Sequence, residues 1–274
     1  MGGSKIRKGM QGKKIYRQQH GKKQLKKWAH IVFALSWANI KVRYKSSILG
    51  IFWSLITPLL FLGIFVFIFS QAFSEIDNYP LFALSGLVFW NFFSTATSQI
   101  IGSVIGGGGV LKSIPVPPII FPVSSLLAAL FNLCFSLIPF SILMLLFGQR
   151  PSWNLVALIP IIVLYACFAL GISLMLAALN VYMRDVLMLW SSLIPGMLYC
   201  TPIAYPVGLI PDKWQWLMNF NPLFHYISAI RSVLYYSSLP SLNEWSIIFS
   251  ITLVSLALGI GVFQKLQCNF ISAL

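Results

Sequence analysis

Apolar residues come in long uninterrupted runs along this chain, and polar residues are confined to short bursts between them. Uncharged apolar stretches occupy about 48–70, 80–105, 119–147, 155–179, 187–204 and 246–264. At ~1.5 Å per residue such runs match a hydrocarbon core of ~30 Å, so the pattern predicts six transmembrane helices. Pro58, Pro122 and Pro139 fall inside them and predict kinks that neighbouring helices must accommodate. GSVIG at 102–106 gives the second span a small-residue edge suited to close helix contact.

Between the fifth and sixth runs the pattern changes. After Pro202 and Pro206 the chain reads YPVGLIPDKWQWLMNFNPLFHYISAIRSVLYY over 205–236. It is too polar and too often interrupted to cross a bilayer, yet too aromatic for a solvated loop. Two short amphipathic pieces dipping back into the membrane satisfy both facts, because irregular backbone survives at that depth only under cover of protein or a water-filled cavity.

The segment 28–46 has a different period. Trp28, Ile31, Val32, Leu35 and Val42 share one helical face, Phe33, Trp37, Ile40 and Tyr44 form a second stripe, and Lys27, Lys41 and Lys45 cluster between. That arrangement predicts an amphipathic helix at the membrane interface. Residues 1–27 are rich in Gly, Lys and Gln and predict a disordered cytoplasmic tail. Its charge suits either an anionic-lipid clamp or a determinant of topology. It lacks the apolar core of a signal peptide.

Composition narrows the class. The chain is 58% hydrophobic and 9% charged, with mean hydropathy +0.84, against about 25% charged residues in soluble domains. An all-α integral membrane protein is expected, with residues 47–274 as one transmembrane domain. Thirteen of the 19 Lys and Arg lie in residues 1–45, which hold no acid. With both termini cytoplasmic, Lys112, Arg184 and Lys265 join them inside; Arg150, Lys213, Arg231 and four of the five acids, Glu75, Asp77, Asp212 and Glu244, fall outside. That is the positive-inside pattern. No nucleic-acid module accompanies the basic tail. The scattered cysteines 134, 167, 200 and 268 suggest neither disulfides nor a metal.

The chemistry is mostly exclusion. No span carries a charge, which argues against ion-coupled transport. Five acids spread over the connections between spans and three distant histidines argue against an enzyme, and no metal site is expected. Gly106, Lys112 and Ser113 fit part of a phosphate-binding loop, but Leu111 replaces its required glycine and no strand precedes it. What is abundant is aromatic rings, which offer flat apolar faces to sugars. Trp53, Trp90, Tyr199, Tyr205, Trp214, Trp216, Tyr226, Tyr235 and Tyr236 are the candidates for a channel lining.

The series KVRYKSSILGIFWSLITPLLF (41–61), KSIPVPPIIFP (112–122), NVYMRDV (180–186), TPIAYP (201–206), LIP (209–211) and NPLFHYISAIR (221–231) resembles the permease subunit of ABC-2-type polysaccharide exporters. The resemblance runs from about residue 28 to the end. It implies a homodimer of six-span subunits in a bacterial inner (plasma) membrane, paired with two copies of a cytoplasmic ABC ATPase that binds the ATP and Mg, with no cofactor in this chain. The cargo would be a lipid-linked polysaccharide such as O-antigen. Segments 106–118 and 180–186, with Leu111, Lys112, Ser113, Arg184 and Asp185, would couple to the ATPase. Residues 205–236 would form a re-entrant hairpin capping the outer side, with Pro202, Pro206, Asn221, Pro222 and Arg231 at the gate. Lys41, Arg43 and Lys45 would meet the lipid phosphate. Two positions depart from the family pattern: Pro118 stands where relatives often have a basic residue, and Ser228 where they often have an acid. A Glu–Arg pair is therefore not expected at the gate, leaving backbone carbonyls or phosphate for Arg231. An exporter of small hydrophobic compounds shares this fold, and a transferase acting on lipid-linked sugar is a reading from another class.

Overall fold

The computed structural model describes residues 26–43, 45, 49–71, 73, 76–149 and 152–274. The basic tail up to residue 25, together with Tyr44, Glu75 and Arg150, lies outside the described residues. Those described are helical or irregular, with no strand among them.

The first helix, α1, spans 26–43. Its packed face carries Trp28, Ile31, Val32, Leu35, Ser36 and Ile40, while Phe33, Trp37 and Val42 point outward. Ile40 thus joins the first stripe and Val42 leaves it. At about 100° per residue Val42 falls between Ile31 and Leu35, and it is exposed because that face borders an open cavity near the end of the helix. Ser36 is buried by returning its hydroxyl to the Val32 carbonyl at 2.7 Å.

The long elements follow as α2 (Trp53–Phe69), α3 (Tyr79–Gly106), α4 (Gly108–Ser113), α5 (Ile120–Leu146), α6 (Leu158–Tyr182), α7 (Asp185–Cys200), α8 (Asp212–Gln215), α9 (Pro222–Leu234), α10 (Leu242–Leu266) and α11 (Phe270–Ala273). Four stretches are long and apolar enough to cross a membrane: Tyr79–Ser113, Ile120–Leu146, Trp153–Tyr182 and Leu242–Ala273. The helices at the first and fifth predicted spans are shorter, 17 residues in α2 and 16 in α7. A 3-10 turn at Gly50–Phe52 precedes α2. The chain leaves α7 at Cys200, four residues before the predicted end, because Pro202 cannot donate to the preceding turn.

Helix α3 is the least apolar of the four and the most enclosed. It sits at the centre, packed by α2, α5, α6, α7 and α9. Its enclosure explains its polarity: only a helix covered by protein can carry hydroxyls and amides at membrane depth without exposing them to lipid. Helices α6 and α10 approach so closely that a Cβ on Gly259 would strike the Gly171 carbonyl, and one on Gly171 would lie 2.5 Å from the Ser255 backbone. The interior around α3 is aromatic, with Phe93, Tyr165, Phe168 and Tyr226 in mutual ring contact.

Hydrogen bonds sort the connections into two ends. Tyr79 donates to the Ala204 carbonyl at 2.8 Å, Gln149 to Tyr235 O at 3.3 Å, Asn154 to Ser237 O and Tyr235 to Asp77 O. These gather 77–79, 149–154 and 204–237 at one end. At the other, Tyr182 donates to Leu266 O at 2.9 Å, and α4 and α11 meet where Leu274 lies beside Gly108.

Candidate functional site

At the first end, the segment between α7 and α10 folds around Arg231. Asn221 caps α9 by accepting from the Leu223 amide at 3.0 Å, with Pro222 in the first turn where no amide is needed. Its side-chain amide also donates to the Thr201 hydroxyl at 2.9 Å and to the Cys200 carbonyl, fixing the start of α9 against the end of α7. One helix length further on, Arg231 is 7% exposed. Its Nη1 donates to Pro202 O at 2.7 Å, its Nη2 donates to Ile203 O, and its guanidinium lies 3.8 Å from the Phe82 ring centre. Among the described residues no carboxylate bonds it, and Nε has no partner. Carbonyl dipoles and a ring face therefore replace an acid, which is the backbone alternative left open by Ser228. Ser228 itself donates to Glu244 at 3.3 Å, across to the capping box that starts α10.

The close fit depends on Gly86 of α3. A Cβ there would lie 2.5 Å from Ile203 O and 2.9 Å from Arg231 Nη2. Tyr205 donates to Tyr199 O at 2.6 Å. Burial pushes the phenol pKa values of Tyr205 and Tyr235 upward. Pro206 opens the 3-10 turn Val207–Leu209.

The nine aromatic candidates separate on position. Trp53, Tyr199, Trp214, Trp216 and Tyr236 present exposed rings. Trp216 packs edge-on against Phe220, and Lys213 Nζ lies 5.5 Å from the Trp214 ring centre. Tyr205 borders a groove of about 270 Å³ with Tyr199 and the ring stack Phe65, Phe69 and Phe73. Tyr235 is intermediate and packs on Phe82 and Tyr236. Trp90 and Tyr226 are interior instead: Tyr226 bonds Thr252 Oγ1 at 2.6 Å and Ile248 O at 3.0 Å, so it ties α9 to α10. A buried hydroxyl must find a partner within the protein, and this one has.

At the opposite end, the coupling candidates share one support. Leu111 is buried, whereas Lys112 is exposed and Ser113 returns its hydroxyl to Gly109 O at 2.8 Å. Leu111 packs in a cluster with Phe121, Leu174, Val181, Phe263 and Phe270. Arg184 and Asp185 lie exposed at the start of α7. Their loop is held by Asn180, 1% exposed, which donates to Ile101 O at 3.1 Å and accepts from the Leu187 amide at 3.2 Å. Both segments therefore rest on one block that includes α11, through Phe270 and the Tyr182 ring beside it.

Lys41, Arg43 and Lys45 are exposed, with Lys41 Nζ 5.8 Å from the Trp37 ring centre. Of the three, Arg43 borders two cavities. One, of about 420 Å³, lies between α1 and the ends of α3 and α5; the other, of about 110 Å³, lies between α2, α3 and α5.

The sequence reading missed Phe82, Gly86, Asn180 and Phe270. Only Asn180, a lone amide closing an apolar run, carried a local signal.

The ABC-2 type transporter family matches residues 30–235. An O-antigen export system permease protein of Klebsiella pneumoniae is 35% identical over 236 residues, covering 85% of this chain and 90% of its own length. One from Myxococcus xanthus is 25% identical over 251 residues, covering 90% and 96%. The polysialic acid transport protein of Escherichia coli is 26% identical over 245 residues, covering 85% and 92%.

Proposed function

This chain belongs to the ABC-2 type transporter family, and on that premise we propose that it is the permease subunit of an ABC exporter moving a lipid-linked polysaccharide such as O-antigen across the bacterial inner membrane. It is a transport subunit and not an enzyme; a separate ATPase subunit binds ATP and Mg and supplies the force. The observation that carries this reading is the 35% identity to an O-antigen export permease across 85% of the chain.

The full subunit has six spans, with α2 and α7 as the first and fifth, and works as a homodimer on two ATPase copies. In favour of six, α2 with its preceding 3-10 turn measures about 30 Å. The 13 residues of α9 reach only about 20 Å, which suits a re-entrant hairpin better than a span. The end holding Lys112, Arg184 and Lys265 faces the cytoplasm with both termini, and the Arg231 end faces outward. Arg184, Asp185, Lys112 and Ser113 touch the ATPase, with Leu111 anchoring them from beneath. Pro202, Pro206, Asn221, Pro222 and Arg231 shape the outer gate, and Trp53, Tyr199, Tyr205, Trp214, Trp216 and Tyr236 offer rings to the passing chain. Lys41, Arg43 and Lys45 receive the lipid phosphate.

The test is complementation. In a strain lacking its own permease but keeping the polysaccharide and ATPase, this chain restores surface polysaccharide and co-purifies with the ATPase. Restoration without ATP hydrolysis by a bound partner would refute the assignment.

A further inference from the structure

The two cavities that meet at Arg43 follow one polar stripe. On α3, Asn91, Thr95, Gln99 and Ser103 recur every fourth residue, which keeps them on one slowly winding face. Asn91 and Thr95 border the smaller cavity; Gln99 and Ser103 border the larger. Facing them on the antiparallel α5 are Ser124 in the larger cavity and Asn132 and Ser136 in the smaller. Along α3, from Gly106 to Val88, the two cavities together cover about 27 Å, most of a ~30 Å hydrocarbon core.

These groups are not all consumed by the fold. The hydroxyls of Thr97, Ser98 and Ser103 return to carbonyls of their own helix, as hydroxyls in apolar helices generally do. Gln99 has no hydrogen-bond partner among the described residues, and Asn91 holds only the Thr95 hydroxyl, at 3.4 Å. Both are half-buried at the cleft surface. Amides at membrane depth that face a cavity signify a polar occupant, since lipid chains would leave them unsatisfied. Among the described residues the lining carries one cation, Arg43, and no acid. Trp53 closes the smaller cavity with an apolar ring.

An occupant that matches has many hydroxyls, an apolar C–H face and one anionic group. We propose that the α1/α3/α5 cleft is the binding site for the sugar-phosphate headgroup of the lipid-linked cargo. Arg43 takes the phosphate, Asn91, Thr95 and Gln99 take hydroxyls of the first sugars, and Trp53 covers a sugar face. The larger cavity, of about 420 Å³ and lined by Arg43 and Gln99, lies within the ~300–1,000 Å³ usual for small-ligand sites, and the adjoining one lined by Asn91, Thr95 and Trp53 adds about 110 Å³. The inference rests on the polysaccharide-export reading and adds the place of headgroup recognition. A bulk phospholipid shares the phosphate but not the sugars, so the test separates the two sources.

The complex of this chain with its ATPase, in lipid nanodiscs, is titrated with a prenyl-diphosphate disaccharide, with sugar-free prenyl diphosphate and with phosphatidylglycerol. The wild type prefers the disaccharide lipid over the sugar-free one by about tenfold, the effect of one or two neutral hydrogen bonds. Asn91→Ala with Thr95→Val reduces that preference to about twofold and leaves sugar-free binding unchanged; Gln99→Leu does the same in part, as a check independent of that pair's folding. Arg43→Gln weakens both diphosphates about tenfold, and Arg43→Lys recovers most of it. Variants that keep the full sugar preference while the chain still exports overturn the cleft and leave the export reading intact. A wild type that favours neither diphosphate over phosphatidylglycerol, in a chain that also fails complementation, overturns both.

Discussion

Arg231 of α9 and Phe82 of α3 form a cation–ring contact at 3.8 Å, and the same guanidinium holds the carbonyls of Pro202 and Ile203. A single side chain thereby joins the central helix, the break after α7 and the short helix that follows. The charge is stabilised without an acid: two carbonyl dipoles and a ring face point at a planar ion whose fork matches them.

Removing that charge exposes its partners. Arg231→Met should destabilise the protein by about 2–5 kcal/mol, because two buried carbonyls lose charge-assisted donors. Arg231→Lys should fall between, since an ammonium reproduces the charge but not the planar fork. Thermal unfolding in detergent reads this directly, and equal melting temperatures for all three would disprove the anchor.

Gly86 should tolerate no side chain. Gly86→Ala places a methyl 2.5 Å from Ile203 O and forces α3 away from the 201–204 bend, at about 1–3 kcal/mol. Gly63→Ala on α2 meets nothing within 4 Å and is the control. Faster proteolysis within 201–221 is expected for the first and not the second.

Asn180 holds the loop bearing Arg184 and Asp185 by donating to one backbone and accepting from another. Asn180→Asp keeps an acceptor for the Leu187 amide but replaces the bond to Ile101 O, whose helical partner remains, with two facing oxygens, at about 1–3 kcal/mol. Amide exchange at Leu187 should accelerate modestly in Asn180→Asp and strongly in Asn180→Ala. Equal protection in both would remove the loop-fixing role.

Phe270 lies fully buried in the block that supports α4 and the 180–186 segment. Phe270→Ala should loosen that block by about 3–5 kcal/mol while leaving the Arg231 end untouched. In the complex with the ATPase, ATP hydrolysis should continue while export per ATP falls severalfold. An unchanged ratio would show that α11 plays no part in coupling. Reversing both charges, Arg184→Glu with Asp185→Arg, should uncouple hydrolysis from export in the same assay.

How much could be read from the residues depends on the range of the physics involved. Helix extents follow from local apolarity, so α3 at Tyr79–Gly106 and α5 at Ile120–Leu146 lie within a residue or two of their predicted ranges. The break after α7 was visible because Pro202 and Pro206 remove backbone donors wherever they stand. The family was visible because its motifs are local and ordered. The fate of Ile40 and Val42 was not, because both are apolar and only the tertiary packing decides which one is covered.

Sequence by itself thus determined that the chain is helical, that it belongs in a membrane, where α3 and α5 begin and end, and that Arg231 has no acid at Ser228 to pair with. Tertiary structure alone decided that Pro202, Ile203 and Phe82 hold that arginine, that Gly86 makes room for them, and that Trp90 and Tyr226 are interior. It alone placed Asn91 and Thr95 in one cavity and Gln99 in another, with Arg43 bordering both. Apolar runs are imposed by the solvent and act on every residue independently, so they can be read in one dimension. A guanidinium meeting a carbonyl 28 residues away needs two helices to have already docked, and no local pattern encodes that distance.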